Sequence, residues 1–500
     1  MSAPIDKVVV AGRDAALWLT ANVLASALEP AGVTVEAVEL PSALGPADVH
    51  ATLPPLEALH NQLRIEEAAL LRATRGAFSL GQNFVDTSGN TPSFLHAHGA
   101  HGAPIEGNAF FPYWIKARRA GLDVGLEHFS LAAAAATQGR LMIPDDESDV
   151  YGRSDYGYHL PAIAYARSLK ALARQQGVTM QAVTAVEAVL DPESGDIVAL
   201  DCDGGRRVEG HFFVDATGPQ GALIGAALGV PTESWRDHFV VDRLLVAHGP
   251  QFASIPVYAE LRASREGWTG IYPSQAQTHI VHAWSSAQRS DDDALKTAAS
   301  ICGFALDGGI VRASDPGRRE LAWVRNCVAI GEAACAFDPV HSVDLHAVQL
   351  GLVHLLACFP ASGGFVSQRD EYNRIVQSAF ERARDFQSAY YALNRYGDSP
   401  FWAGARQSAI SPELTHMIAT FRSRGEVAPW EDETFSPDSW QALFVGLGLT
   451  PESYPPTIDR TPPEEVKAQF RRMLGFVKEQ VLRQPTHNAY LDSYCGREHG

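Results

Sequence analysis

Cysteine is scarce and scattered: six in 500 residues, none in a Cys-x-x-Cys pair. That excludes ribbon-type zinc sites and dithiol redox motifs, and leaves the thiols as small core residues. Positive charge is short as well, with 40 Lys and Arg against 58 Asp and Glu and a net charge of -18. Without a basic surplus nothing replaces phosphate counterions, so a nucleic-acid partner is excluded. No apolar run has the length of a bilayer span, and the alanine run Ala132 to Ala136 makes only part of a helix. The start, Met-Ser-Ala-Pro-Ile-Asp-Lys, lacks a charged-then-apolar leader, so no membrane partner and a cytoplasmic location are expected. Repeats and low-complexity tracts are missing. What remains, 46% hydrophobic and 20% charged, is the composition of a globular chain, with a length that allows roughly two to four domains.

Glycine is missing where a nucleotide turn needs it. Lys7 to Ala11 reads as a strand, Gly12 to Leu28 as a helix and Val33 to Leu40 as the next strand, a β-α-β unit with Glu39 near its end. In G-x-G-x-x-G the glycines let backbone approach a pyrophosphate and helix approach strand. Here only Gly12 stands, and Asp14 and Leu17 hold the other two places. Gly12, Asp14, Ala15 and Ala16 are the turn candidates. Glu39 is placed to accept ribose hydroxyls, or is a solvated strand end.

Further on, Asp48 to Arg75 is helical in pattern, and Phe78 to His101 reads as strand and loop. Tyr158 to Gly177 predicts a helix and Val178 to Val189 a strand. Asp203-Gly-Gly205 predicts a hairpin turn, and residues 238 to 285 an antiparallel sheet. From Gln368 the pattern is helical, with breaks at Asp398-Ser-Pro400, Ser411-Pro412 and Pro451 to Pro463. The organising stretch is Trp323 to Gly351: a buried strand Cys327 to Ile330, a Gly331-Glu332 turn, a loop with Pro339, and a helix that Ser342 is placed to cap. A helix start gathers free N–H groups and partial positive charge, a seat for negative charge. Gly331, Glu332, Pro339, Val343 and Asp344 are the candidates there. His341 is an acid/base candidate near neutral pH or a loop histidine. His96, His98 and His101 lack a carboxylate or cysteine set to complete a metal site, so no metal is expected, and they either line the substrate side or pack in a loop.

Together these segments resemble the flavin-dependent tryptophan halogenase family over nearly the whole chain. The resemblance rests on Phe94-Leu-His-Ala-His-Gly-Ala-His-Gly102 after Phe84-Val-Asp86, on Tyr156-Gly-Tyr-His159, and on Val241-Asp-Arg243 after Asp215-Ala-Thr-Gly218. It also rests on Asn326 to Ala334 with Asp338-Pro339, and on Tyr390 to Trp402. It implies an α/β fold: an FAD-binding Rossmann-like (flavin monooxygenase-like) core with a substrate β-sheet and a helical C-terminal part. The implied domains are a discontinuous core (about 1–90, 155–230 and 320–365), inserted substrate-binding segments (about 91–154 and 231–319) and a helical subdomain, 366–500.

The family chemistry uses FAD reduced by a separate flavin reductase. Oxygen gives a C4a-hydroperoxyflavin, halide attacks it, and a lysine and a glutamate direct the hypohalous acid to an aromatic small molecule. Against that pattern, the lysine position holds Ser79 and the glutamate position His341. Asp344 enters the halide cradle, and Trp268-Thr-Gly-Ile-Tyr-Pro273 has Gly270 for the second tryptophan. Three functions follow as expectations. The first is a reduced-flavin and O2-dependent oxidoreductase of an aromatic or hydrophobic small molecule, without lysine-dependent halogenation. The second is a degenerate partner or scaffold subunit with weak or no FAD binding. The third is a halogenase by an altered route, for which Lys116 and Lys170, outside the family position, are the nearest lysines to test. The family resemblance adds a homodimer as an expected assembly.

Overall fold

The computed structural model describes residues 5–143, 155–360, 364–428 and 430–496. The chain divides into two compact units, one of Met1–Thr74, Leu160–Arg236 and Asp315–Arg384, the other of Arg75–His159, Asp237–Ser314 and Asp385–Gly500.

In the first unit, Val8, Val9 and Val10 are all fully buried. A strand with no exposed alternate face belongs inside a covered parallel sheet. That strand, β1 (Lys7–Gly12), lies near the middle of a six-stranded sheet with β2 (Thr34–Glu39), β3 (Thr179–Ala182), β4 (Phe212–Ala216), β5 (Trp323–Val324) and β6 (Cys327–Ala329), in the order β5-β6-β4-β1-β2-β3. All neighbours run parallel except β5 and β6. Helix α1 (Asp14–Leu28) packs on it, and α2 (Ala162–Gln175) and α3 (Asp344–Ala357) pack against α1.

Gly12 is a glycine because of β4: a Cβ there would stand 2.6 Å from the Ala216 carbonyl oxygen. Gly12→Ala is therefore expected to destabilise the chain by about 2 kcal/mol through overpacking, read as a lower urea midpoint at unchanged slope.

The end of β4 is pinned by a carboxylate. Asp215, fully buried, accepts from the Thr217 N–H (3.0 Å) and hydroxyl (2.7 Å) and from the Leu223 and Ile224 N–H groups (both 2.8 Å). Arg319 holds the same turn from outside, donating to the carbonyls of Pro219, Gln220, Val230 and Ala333.

The second unit is built on a seven-stranded sheet, in the order Asp307–Ala313, Arg243–Gly249, Thr278–Trp284, Gly267–Pro273, Ala259–Ser264, Gly81–Asp86 and Phe94–Ala97. Its pairs are antiparallel except Ala259–Ser264 with Gly81–Asp86. Gly270 belongs here: a Cβ on it would meet the Tyr272 ring at 2.6 Å. Tyr272 thus fills the place that a tryptophan at 270 would take.

Three C-terminal helices, Pro400–Ala405, Pro412–Arg424 and Pro437–Gly446, start at Ser-Pro pairs. Ser399, Ser411 and Ser436 each accept the N–H three residues on, with proline following at the first helical position. The sequence breaks at Asp398-Ser-Pro400 and Ser411-Pro412 are thus caps.

Several sequence expectations are corrected. Asp48 to Arg75 is a short strand, Val49–Ala51, then two helices, Pro55–Gln62 and Glu67–Thr74. The break falls where Arg64 turns left-handed, with φ of 56°. Tyr158 to Gly177 is strand Gly157–Pro161 before α2, because Pro161 fixes the helix start. Val178 to Val189 is two strands, Thr179–Ala182 and Val186–Leu190. The hairpin at 203–205 forms as expected. Among the described residues no helix is long and apolar enough to cross a membrane.

Candidate functional site

The first glycine turn keeps its path and changes its chemistry. Strand β1 ends at Gly12, Arg13 is extended, and Asp14 opens α1 with φ of 56°, the left-handed region that favours glycine. The Asp14 carboxylate is held from the loop after β2: the Ser42 hydroxyl donates to one oxygen (2.5 Å) and the Ala43 N–H to the other (3.1 Å). Ala15 is buried and Ala16 half-buried. Glu39 lies opposite Gly12 in the sheet, and one of its oxygens takes the Lys170 ammonium at 2.5 Å. Lys170, from α2, also lies 5.3 Å from the Trp18 ring centroid.

The second segment meets the first at Gly331. This residue has φ of 64°, and a Cβ on it would lie 3.0 Å from Val348 and 3.4 Å from Ala16, so α1 and α3 close on it together. Glu332 is exposed, and Pro339 follows the buried Asp338, which accepts the Val340 N–H at 3.0 Å.

His341 and Ser342 are both left-handed, with φ of 67° and 52°, and Val343 is right-handed at the N-cap of α3. Ser342 does not cap the helix. A cap needs extended dihedrals at the N-cap itself, and Ser342 stands one residue early in the wrong region. The start of α3 carries no side-chain cap bond. The Ser342 N–H donates to the Pro339 carbonyl at 3.3 Å, so the positive end here is the first turn of α3 itself, where a helix gathers N–H groups and partial positive charge. Asp344, exposed, adds a carboxylate in the first turn.

His341 is 2% exposed, and burial pushes its pKa down to about 3. Its charge switch therefore falls far below the neutral range expected from the sequence. His50, half-buried on strand Val49–Ala51, stands within electrostatic reach of Asp14, Asp48 and Asp344. Burial outweighs those three carboxylates and lowers its pKa, and neither ring nitrogen has a hydrogen-bond partner. The sequence reading missed His50, Ser42 and Ala43. Only Asp48-Val-His50, an acid two residues before an imidazole, hinted at the first.

In the second unit, Ser79 is 4% exposed and its hydroxyl donates to the Gly81 carbonyl at 3.2 Å. Lys116 is paired with Asp459 at 2.7 Å. His96 packs against Phe386 and Phe435. His101 sits on Asp438, with its ring at 3.5 Å and its N–H at 3.0 Å. The described residues contain no group of three or more His, Cys, Asp or Glu able to hold a metal.

His98 lies within electrostatic reach of His159. His159 feels the charge of His98, His279 and His487, and burial pushes it down to about 3. The Nδ1–H of His159 donates to the Pro273 carbonyl (2.9 Å), and that of His487 to the Ile255 carbonyl (3.0 Å). Both Nε2 atoms are thereby left as acceptors, buried and without a partner.

The tryptophan halogenase family model matches residues 7–463. The chain belongs to this family. It is similar to tryptophan 6-halogenase ThaL of Streptomyces albogriseolus, 26% identical over 93% of this chain and 94% of that one. Among solved structures it is similar to BrvH, a flavin-dependent halogenase from Brevundimonas sp. BAL3, with TM-score 0.92 and 31% identity over 98% of this chain and 99% of that chain. Xcc4156, a flavin-dependent halogenase from Xanthomonas campestris, gives TM-score 0.93 and 29% identity over the same shares. As a tryptophan halogenase family member the chain has the FAD-binding Rossmann-like α/β fold with a helical C-terminal part. The family's chemistry is FAD-dependent oxidation with O2, on small aromatic substrates, with flavin reduced by a separate reductase.

If a flavin were held at these candidate residues, the two halves of the site would differ in fit. At the ring end, Gly331 and the uncapped start of α3 suit an electron-rich ring. At the diphosphate end, Asp14 already occupies the helix start with a carboxylate.

Proposed function

We propose that this family member is a flavin-dependent oxidoreductase that oxidises a small aromatic molecule with O2 and does not halogenate through a lysine. The carrying observation is the ring end: the left-handed His341-Ser342 pair before an α3 start that no side chain caps. Reduced flavin, when bound, supplies the two electrons that activate O2. Gly331, Pro339 and the N–H groups around Val343 would hold the ring and favour negative charge on it. Neutral His341 would wall the site and exclude water rather than carry charge. Ser79 offers no ammonium to polarise hypohalous acid, and its hydroxyl is already engaged by Gly81. Asp344 would repel a halide at the cradle. His96, His98 and His101 remain our candidates for the substrate side.

A second reading, the non-catalytic relative, is favoured by one observation: Asp14 at the diphosphate position with its Ser42 and Ala43 donors.

The test is an absorbance and fluorescence titration of the purified protein with oxidised and photoreduced flavins. Turnover with a reductase, NADH, bromide and a panel of indoles and phenols follows. We expect saturable flavin binding and a product heavier by oxygen, without bromine. Flat titrations would leave the non-catalytic relative, and a brominated product would establish the altered-route halogenase.

A further inference from the structure

The diphosphate end of the site has a consequence for which flavin the chain takes. In a nucleotide turn the second glycine exists so that backbone can approach the pyrophosphate. This chain keeps the left-handed backbone there, φ of 56°, and puts a carboxylate on it. That carboxylate is fixed at both oxygens, by the Ser42 hydroxyl and the Ala43 N–H, and the Ser42 oxygen in turn accepts the Leu44 N–H at 3.1 Å. Asp14 cannot swing aside without breaking charge-assisted bonds. It already enjoys the stabilisation that the start of α1 would offer a phosphate.

Nearby charge does not offset it. His50 is neutral, with Asp48 and Asp344 also around it, and Lys170 is engaged by Glu39. Arg13 is the adjacent cation, one against three carboxylates. A diphosphate would bring two further negative charges into this group. The ring end asks for no phosphate.

We infer that the site selects an isoalloxazine with an uncharged tail, of the riboflavin type, and discriminates against FAD through Asp14. The inference rests on the flavin reading above and narrows it.

The test measures dissociation constants for riboflavin, FMN and FAD by flavin fluorescence, at low and high salt, on the wild-type chain and on Asp14→Gly and Asp14→Asn. Thermal melts confirm that each variant is folded. Wild type is expected to bind riboflavin about tenfold or more tighter than FAD, with the gap narrowing in high salt as the repulsion is screened. Asp14→Gly is expected to tighten FAD by about tenfold while riboflavin changes little. Asp14→Asn keeps the bulk and removes the charge. Recovery of FAD in both variants assigns the discrimination to charge, and recovery in Gly alone assigns it to bulk; either supports the inference.

Wild type binding FAD as tightly as riboflavin overturns the inference and leaves the flavin reading standing. So does a ratio unmoved by both substitutions. Absence of binding by every flavin overturns both.

Discussion

Acidification from pH 7 to about 5 is expected to unfold this protein, seen as loss of near-UV circular dichroism and a red shift of tryptophan emission. Six buried histidines drive it. Burial pushes His60, His282, His346 and His487 down to about 4 and His159 and His341 to about 3. In the unfolded chain each titrates near 6.5. As pH falls below 6.5 the unfolded state takes up protons that the folded state refuses, so stability present above pH 6.5 is lost on the way down to 4 or 3. By pH 5 each group contributes on the order of 2 kcal/mol to that loss. Six such losses together are comparable to the whole stability of a typical domain, about 5–15 kcal/mol. A chain that keeps its near-UV spectrum at pH 4 would show that the folded state takes up these protons without unfolding.

The second large effect is expected from Asp215→Ala. The carboxylate is fully buried and serves three backbone N–H groups and one hydroxyl. Alanine leaves those donors buried with no acceptor, at about 1–3 kcal/mol each, so a loss on the order of 5 kcal/mol is expected. Asp215→Asn should fall between, because its single carbonyl oxygen can still take two donors while its NH2 faces the others. Urea midpoints for the three proteins test the order. An alanine variant within about 1 kcal/mol of wild type would mean that the Thr217 to Ile224 turn finds other acceptors.

The parts of the fold legible in the sequence are those written in local signals. The β-branched run at Val8 to Val10, the Asp203-Gly-Gly205 hairpin and the helical pattern after Gln368, which includes Pro463–Arg483, each depend on neighbours within a few residues. The candidate site was legible only as a set of positions. Asp14 stood out as an acid where a glycine belongs, but its donors lie 28 and 29 residues on, and Glu39 meets Lys170 across 131. His341 reads as a neutral-pH switch in one dimension and becomes a buried neutral ring in three. His159, His279 and His487 share no local pattern at all; the sheet and the last helix assemble them.

The discontinuous make-up of both units bears on how the polypeptide is born. When β4 leaves the ribosome it joins β1, β2 and β3, but its other edge waits for Cys327–Ala329, more than a hundred residues later. The other unit draws on chain as late as Asp385–Gly500. Through most of translation the nascent protein therefore carries an open, strand-hungry margin. Its yield in a foreign host should follow the supply of holdase chaperones and slow, cool synthesis more than any property of the finished molecule.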